Sequence, residues 1–374
     1  MLDSLFGSTY GTRLLVTQAV NRVPLPLRDI FGVRKSRNPK GIANFIKAYC
    51  AWFEQTGNQE FKDKAIALGD WLLTSHSAAH GMFAGKGLAW GYNFPWQSPS
   101  FLARRHSPNV IVTVFCGEAM LRLYQITKDT KYLDAADEVS RFILIELPVL
   151  EETADAKCIA YVPSGSRWSV ININAVTAGF LAKLAYLHRN PTLMAHAKKM
   201  ITWTLNAAGP EGQWNYTQPF SQSNIGPDNY HTGGILDGIF DYMLASQDQT
   251  PRAKYLKSLA YYEQNFFETS GAPKWRANQS YPHDVHGSAQ GIITFTKARL
   301  FDSKHLSTAQ NLLAWTLENL QDPATGRFYY QQKRFFTWKL DLMRWNNSWM
   351  MWAMADYLRA AASSGTNTQD RMAA

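Results

Sequence analysis

Asp228-Asn229-Tyr230-His231 puts a carboxylate, an amide, a phenol and an imidazole into four consecutive residues. On a helix, residues three apart share a face, so Asp228 and His231 can point the same way and work as an acid/base pair. Asp228 also lies between Pro227 and the run Gly233-Gly234, which suits a helix N-cap, a purely structural use of the same residue. A second cluster, His283-Asp284-Val285-His286, follows Tyr281-Pro282 and repeats the theme: histidines three apart and an aspartate suited to a cap. A metal would need further ligands at a recognisable spacing, and none is displayed, so neither a metal nor another cofactor is expected. A third cluster joins Asp341, Arg344, Trp345 and Asn346-Asn347. Arg344 suits two-pronged pairing with a substrate carboxylate, and its bland alternative is an ion pair with Asp341. Glu118 stands in an apolar stretch, where a charge is costly unless it is paired or faces a cavity. It joins Asp228, His231, Asp284 and His286 as a candidate catalytic group, and Arg105 is a candidate for the rim of the same site.

Aromatic residues crowd the segments between these clusters. The chain has 13 Trp, 17 Tyr and 20 Phe, concentrated in Leu88 to Trp96, Gly212 to Phe220, Ala272 to Trp275 and Gly326 to Trp338. Flat aromatic faces stack on the C–H faces of sugar rings while polar edges bond the hydroxyls, so this lining suits carbohydrate. Trp90, Trp96, Trp214, Tyr216, Tyr230 and Trp345 are the candidate stacking residues, with His283, Arg344 and Arg105 as polar contacts. The alternative for each aromatic is to pack neighbouring elements together.

Such clusters need a scaffold that brings distant stretches to one place, and a repeat supplies it. At intervals of roughly sixty residues the chain repeats an apolar helix rich in small residues, a polar turn, an amphipathic helix and an aromatic loop. The apolar helices begin at Asn38, Ser107, Ser169, Asp228 and His283, and a sixth begins near Met343. Apolar nearly all round, they should be buried on most faces as an inner ring. The amphipathic helices, with Trp71, Phe142, Trp203, Phe266 and Trp315 at corresponding places, should lie outside. Six inner and five outer helices leave one outer place, which Leu2 to Val20 would fill. The pattern predicts an all-α, (α/α)6 toroid of one domain over residues 1–360, with an N-terminal helix closing the ring and a flexible tail over 361–374. Polar residues at the mouth of such a ring would form the site.

Bulk properties narrow the partners. A hydrophobic content of 46% over 374 residues is ample for a large core. Cys50, Cys116 and Cys158 lack the pair spacing of a zinc or redox motif and read as reduced core residues. No leader pattern or run of eighteen apolar residues appears, so no transmembrane segment is expected and cytoplasmic residence is the default. The net charge of +9 points to an anionic partner or to nothing more than a solvated basic surface. The cations are scattered without a recognition motif, which argues against nucleic acid. Arg28, Arg34, Lys35, Arg37 and Lys40 leave peripheral membrane association open, and an acidic sugar is the most economical partner. The oligomeric state is not readable.

The repeat and aromatic loops resemble the six-hairpin glycosidase superfamily, the (α/α)6 toroids that include unsaturated glucuronyl hydrolases, N-acylglucosamine 2-epimerases and glucuronyl C5-epimerases. The resemblance covers most of the chain. It implies that Asp228 and Asp284 are similar to the aspartates opening inner helices in the glucuronyl hydrolases, although they fall in later helices here. It also implies that His231, His283 and His286 correspond in kind to the cavity histidines of the 2-epimerases. The stretch from Val23 to Tyr49 resembles toroid proteins of bacterial surface-polysaccharide assembly. The pair His286-Gly287 is similar to lanthionine-synthetase-like toroids, but the cysteine zinc ligands of that family are absent. The leading expectation is a carbohydrate-active enzyme that hydrolyses an acidic, uronate-containing glycan with carboxylate and His groups. Uronate C5-epimerisation or β-elimination with the same residues is the second expectation, and a non-catalytic glycan-binding toroid is the third.

Overall fold

The computed structural model describes residues 9, 11–13, 15 and 35–363. Eleven α-helices run through the described residues. The inner helices are α1 (Pro39–Thr56), α3 (Val110–Thr127), α5 (Ile171–His188), α7 (Asn229–Ser246), α9 (Val285–Ala298) and α11 (Ser348–Ser363). Each packs on the next and α11 returns to α1, so the ring closes. Outside them lie α2 (Gln59–Thr74), α4 (Thr130–Glu146), α6 (Pro191–Asn206), α8 (Arg252–Phe266) and α10 (Lys304–Leu320). The expected all-α, (α/α)6 toroid is therefore the observed fold. The proposed closing helix over Leu2 to Val20 lies largely outside the described residues. Of that stretch, Gly11, Thr12, Arg13 and Leu15 are helical, and Arg13 Nε donates to Gln97 Oε1 at 2.7 Å. At the other end helix persists to Ser363, three residues beyond the expected boundary, and the rest of the tail lies outside the described residues.

Local sequence dictates which end of the ring holds the site. Inner and outer helices meet through tight turns in which Gly57, Lys128, Arg189 and Gln247 take the left-handed conformation, with φ between 50 and 67°. Asn58, Asp129 and Asn190 then cap α2, α4 and α6 at once. With these links so short, the long aromatic loops all fall between an outer helix and the next inner one. They therefore gather at the face where the inner helices begin. Asn38, Asn109, Asp228 and Asp284 cap four of those beginnings by accepting a backbone N–H.

Small residues let the inner helices approach closely. A Cβ on Gly238 of α7 would collide with the Ala175 carbonyl of α5, and one on Gly179 would lie 3.0 Å from the Gly238 oxygen. The outer helices bury only their apolar stripe. Of the recurring aromatics, Phe142, Trp203 and Phe266 are buried, each worth about 2 kcal/mol of apolar transfer, while Trp71 and Trp315 remain partly exposed. The three cysteines are free and buried. Helix α3 is long and apolar enough to cross a membrane, and here that apolar surface is mostly buried within the ring.

Three short sheets decorate the loops: β1 (Trp96–Gln97) with β2 (Leu102–Ala103), β3 (Val149–Glu152) with β4 (Lys157–Ile159), and β5 (His283–Asp284), β6 (Gln331–Gln332) and β7 (Thr337–Trp338) in that order. The last sheet matters most, because it ties the loop ahead of α9 to the loop ahead of α11.

Candidate active site at the mouth of the ring

Asp228 caps α7 and binds its own histidine at the same time. Oδ1 accepts from the His231 backbone N–H at 3.0 Å, and Oδ2 lies 2.6 Å from His231 Nδ1. The cap and the acid/base pair are thus one arrangement. With Nδ1–H donated to a carboxylate, Nε2 of His231 carries the free lone pair. The His231 ring is also in contact with Tyr216 at 4.8 Å and Tyr230 at 4.4 Å between centroids.

Asp284 plays a different part. Its Oδ1 accepts from the His286 backbone N–H at 2.8 Å and from Trp345 Nε1 at 3.0 Å, and its Oδ2 accepts from Gln331 Nε2 at 2.6 Å. Burial raises its pKa to about 6, against the lowering effect of those three donors. It acts as a hub joining α9, β6 and the turn before α11. Gln331 reaches it because β5 and β6 pair Asp284 directly with Gln331.

His286 is the least satisfied group in the cluster. It is 3% exposed, and its Nδ1 is buried with no hydrogen-bond partner among the described residues. Its ring stacks on Tyr230 at 4.8 Å and 16°, and contacts Trp345 at 4.3 Å and Trp349 at 4.2 Å. Burial pushes its pKa well below 6.5, and the charges of Lys40 and Arg344 add to the effect. It is held as a neutral imidazole. Tyr230 contacts both histidines and stands between the two halves of the site.

Cations complete the mouth. A single π-helical turn over Met343–Asn347 precedes α11 and carries Arg344 and Trp345; such turns recur at functional sites. Asn346 and Asn347 pin it to the hairpin through the Phe328 backbone at 2.9 and 3.0 Å. The Arg344 guanidinium lies 5.3 Å from the ring centroids of Tyr92, Phe94 and Trp345. The anticipated Asp341 to Arg344 pair does not form, since Asp341 binds Arg327 at 2.7 Å and Asn347 at 2.6 Å. Lys40, the second residue of α1, is 8% exposed and sits over Phe115 at 4.2 Å and Trp349 at 5.3 Å. Burial and the neighbouring charges of Arg344 and Lys47 lower its pKa. No carboxylate among the described residues is within ion-pairing distance of it.

The structure thus gathers Asp228, Tyr230, His231, Asp284, His286, Arg344, Trp345 and Tyr216 at one opening. Trp96 joins the wall through Tyr92, at 6.0 Å between centroids. Five other candidates lie elsewhere. Trp90 and Trp214 are fully buried and donate their indole N–H to Leu72 O at 3.0 Å and Thr204 O at 2.9 Å. Both close the C-terminal end of an outer helix, which leaves no face for a sugar. His283 falls in strand β5, where successive side chains alternate, so it points away from Asp284 and does not share a helical face with His286. Arg105 is exposed on the loop before α3. Glu118 lies midway along α3 and pairs with Lys183 at 2.9 Å.

Lys40, Gln331, Tyr92 and Trp349 went unnoticed as site residues. Lys40 had a signal: a cation in the first turn of an apolar helix opposes the helix dipole and calls for another reason to be there. It stands among the basic residues that leave membrane association open, whereas its side chain is buried against inner-helix rings; Arg28 and Arg34 of that group lie outside the described residues. Gln331 had no signal, because only strand pairing brings it to Asp284. Among the described residues no three His, Cys, Asp or Glu side chains are placed to share a metal ion.

No family model and no curated protein matches this sequence. Solved structures do match in fold. A sugar epimerase from a ruminal bacterium superposes with a TM-score of 0.67 at 12% identity, covering 90% of this chain and 91% of that one. Cellobiose 2-epimerase from Bacillus thermoamylovorans matches with a TM-score of 0.63 at 12% identity, covering 86% and 87% of the two chains. A GH76 α-mannanase from Bacteroides thetaiotaomicron matches with 0.64 at 12% identity, covering 87% of each. The chain therefore has the six-hairpin (α/α)6 toroid fold that these carbohydrate enzymes share.

Proposed function

We propose that this protein is a carbohydrate-active enzyme that moves a proton at carbon in an anionic sugar, as a uronate epimerase or lyase does. The observation that carries this reading is the pair of unlike histidines in contact with Tyr230: His231, oriented by Asp228, and His286, buried and neutral with an unpartnered ring nitrogen. His231 Nε2 takes the proton from the carbon beside the sugar carboxylate, and the C–H electron pair passes into an enolate. Lys40 and Arg344 hold the carboxylate and stabilise the charge that develops on it. A proton delivered to the opposite face through His286, whose neutral ring gives one from one nitrogen as it takes one from solvent at the other, gives the epimer, and His231 returns its proton to solvent. Loss of the substituent one carbon further on gives an unsaturated end instead. The fold neighbours that act as epimerases add support, and a surface-polysaccharide glycan is the natural source of an acidic substrate.

Hydrolysis is the second reading, favoured by the raised pKa of Asp284, which is what a general acid requires. Against it, three donors already occupy the Asp284 carboxylate, and Asp228 is committed to His231. Incubation with acidic oligosaccharides in D2O separates the outcomes. Deuterium uptake without cleavage identifies epimerisation, and ultraviolet-absorbing ends identify elimination. New reducing ends without unsaturation would establish hydrolysis, and binding without any turnover would leave a glycan-binding toroid.

A further inference from the structure

The sheet that aims Asp284 and Gln331 at the mouth has a second face. His283 and Gln332 are also directly paired in register, one residue along each strand, so they project together to the other side. There they line an open cavity of about 500 Å³ with Glu268, Tyr281 and Trp315. Trp315 belongs to outer helix α10 and remains partly exposed, and Tyr281 is 39% exposed. The His283 ring meets Trp315 edge-on at 5.3 Å and Tyr281 at a tilt at 4.4 Å, so aromatic rings border the cavity on adjoining sides.

The polar edges of this cavity are set to bond hydroxyls. His283 Nδ1 lies 2.7 Å from the Pro273 carbonyl and must donate to it, so Nε2 of the neutral ring is an acceptor. Glu268 accepts from the Ser280 hydroxyl through Oε1 at 2.7 Å, and its Oε2 has no hydrogen bond among the described residues. Gln332 adds an amide with both donor and acceptor. Two flat apolar rings fringed by a carboxylate, an imidazole nitrogen and an amide match a pyranose, with its C–H faces and its rim of hydroxyls. Glu268 is the one charged residue lining the cavity among the described residues, and it repels a carboxylate.

We propose that this cavity is a second, non-catalytic sugar site that takes an uncharged hexose unit, on the far side of the sheet from the cationic mouth. The inference does not depend on the reaction at the mouth. It is tested on the full chain by saturation-transfer NMR and tryptophan fluorescence with methyl glucoside, methyl mannoside, methyl galactoside and cellobiose. Saturable binding is expected in wild type and in His286→Ala. An approximately tenfold loss of affinity is expected in Trp315→Ala, and also in Tyr281→Ala, whose exposed side chain can be cut back without disturbing the fold. Glu268→Gln should relax the exclusion of glucuronate. Absence of saturable binding by all four probes up to about 50 mM would overturn the proposal. So would binding that Trp315→Ala and Tyr281→Ala leave unchanged, or that His286→Ala alone abolishes.

Discussion

Two levels of the ring carry charged side chains on the inner helices, and they are built on opposite plans. Halfway down the axis the charges are joined in a network, apart from Lys47 of α1, which rests on the Trp352 ring at 3.2 Å. Lys183 bridges Glu118 at 2.9 Å and Asp241 at 2.8 Å, and Lys297 holds Asp241 at 2.9 Å. Next to them Asp237 accepts from Gln290 at 2.8 Å and Thr294 at 2.9 Å. At the mouth, by contrast, Lys40 rests on aromatic faces with no carboxylate in reach among the described residues, and the buried nitrogen of His286 has no partner among them. Buried polar groups are costly unless satisfied, so the paired level belongs to the scaffold and the unpaired level awaits a ligand that completes it. Glu118, a charge in an apolar helix but one paired with Lys183, is therefore a weaker candidate than a lysine hidden at a helix start.

Removing the mouth histidines should have the largest effect. Either His231→Gln or His286→Gln should lower turnover about a thousandfold while thermal unfolding stays within a few degrees of wild type. Retained turnover, followed by deuterium exchange, would remove the case for the mouth. Cutting the axis should do the reverse. Lys183→Met strands Glu118 and leaves Asp241 to Lys297 alone, and urea denaturation should show a loss of about 2 kcal/mol. That is less than for a fully buried pair, because Lys183 is 31% exposed. Turnover per folded molecule should be unchanged. Lys40→Met removes a charge that no carboxylate among the described residues balances, so stability should hold or rise while affinity for an acidic oligosaccharide drops about tenfold by calorimetry.

Acidity separates the two levels as well. Burial raises Asp237 to about 6, so between the ordinary aspartate value of 3.8 and that pH the folded chain keeps a proton the unfolded chain has released. Its contribution to stability therefore falls as pH rises through this window. Asp237→Asn should gain on wild type by something on the order of 2 kcal/mol between pH 4 and 6, then run parallel to it. His286 is depressed, so its contribution is present above 6.5 and declines as pH falls below that value, where the unfolded chain alone takes up the proton. A stability difference between wild type and His286→Gln that does not change below pH 6.5 would contradict its burial as a neutral ring. The smallest effect is expected at the exposed rim. Arg105→Ala should change stability by less than about 0.5 kcal/mol and leave turnover nearly unaltered.

The sixfold repeat of apolar and amphipathic helices is written in the order of residues, because helix period and small-residue content are local properties that survive without knowledge of neighbours. So are the caps: Asn38, Asp228 and Asp284 announce three inner helices by residue type alone. From these the ring and the convergence of Asp228, His231, Asp284, His286 and Arg344 followed. What the order of residues could not decide is which way a side chain faces once two distant strands pair. One residue separates His283 from Asp284, and the pleat of β5 sends one to an outer cavity and the other to the mouth. Nor could it separate Trp90 and Trp214, closed in the core, from Trp96 in the wall of the mouth, since all three sit in similar aromatic loops. Burial and hydrogen-bond completion are set by what packs from elsewhere in the chain, and only tertiary structure decides them.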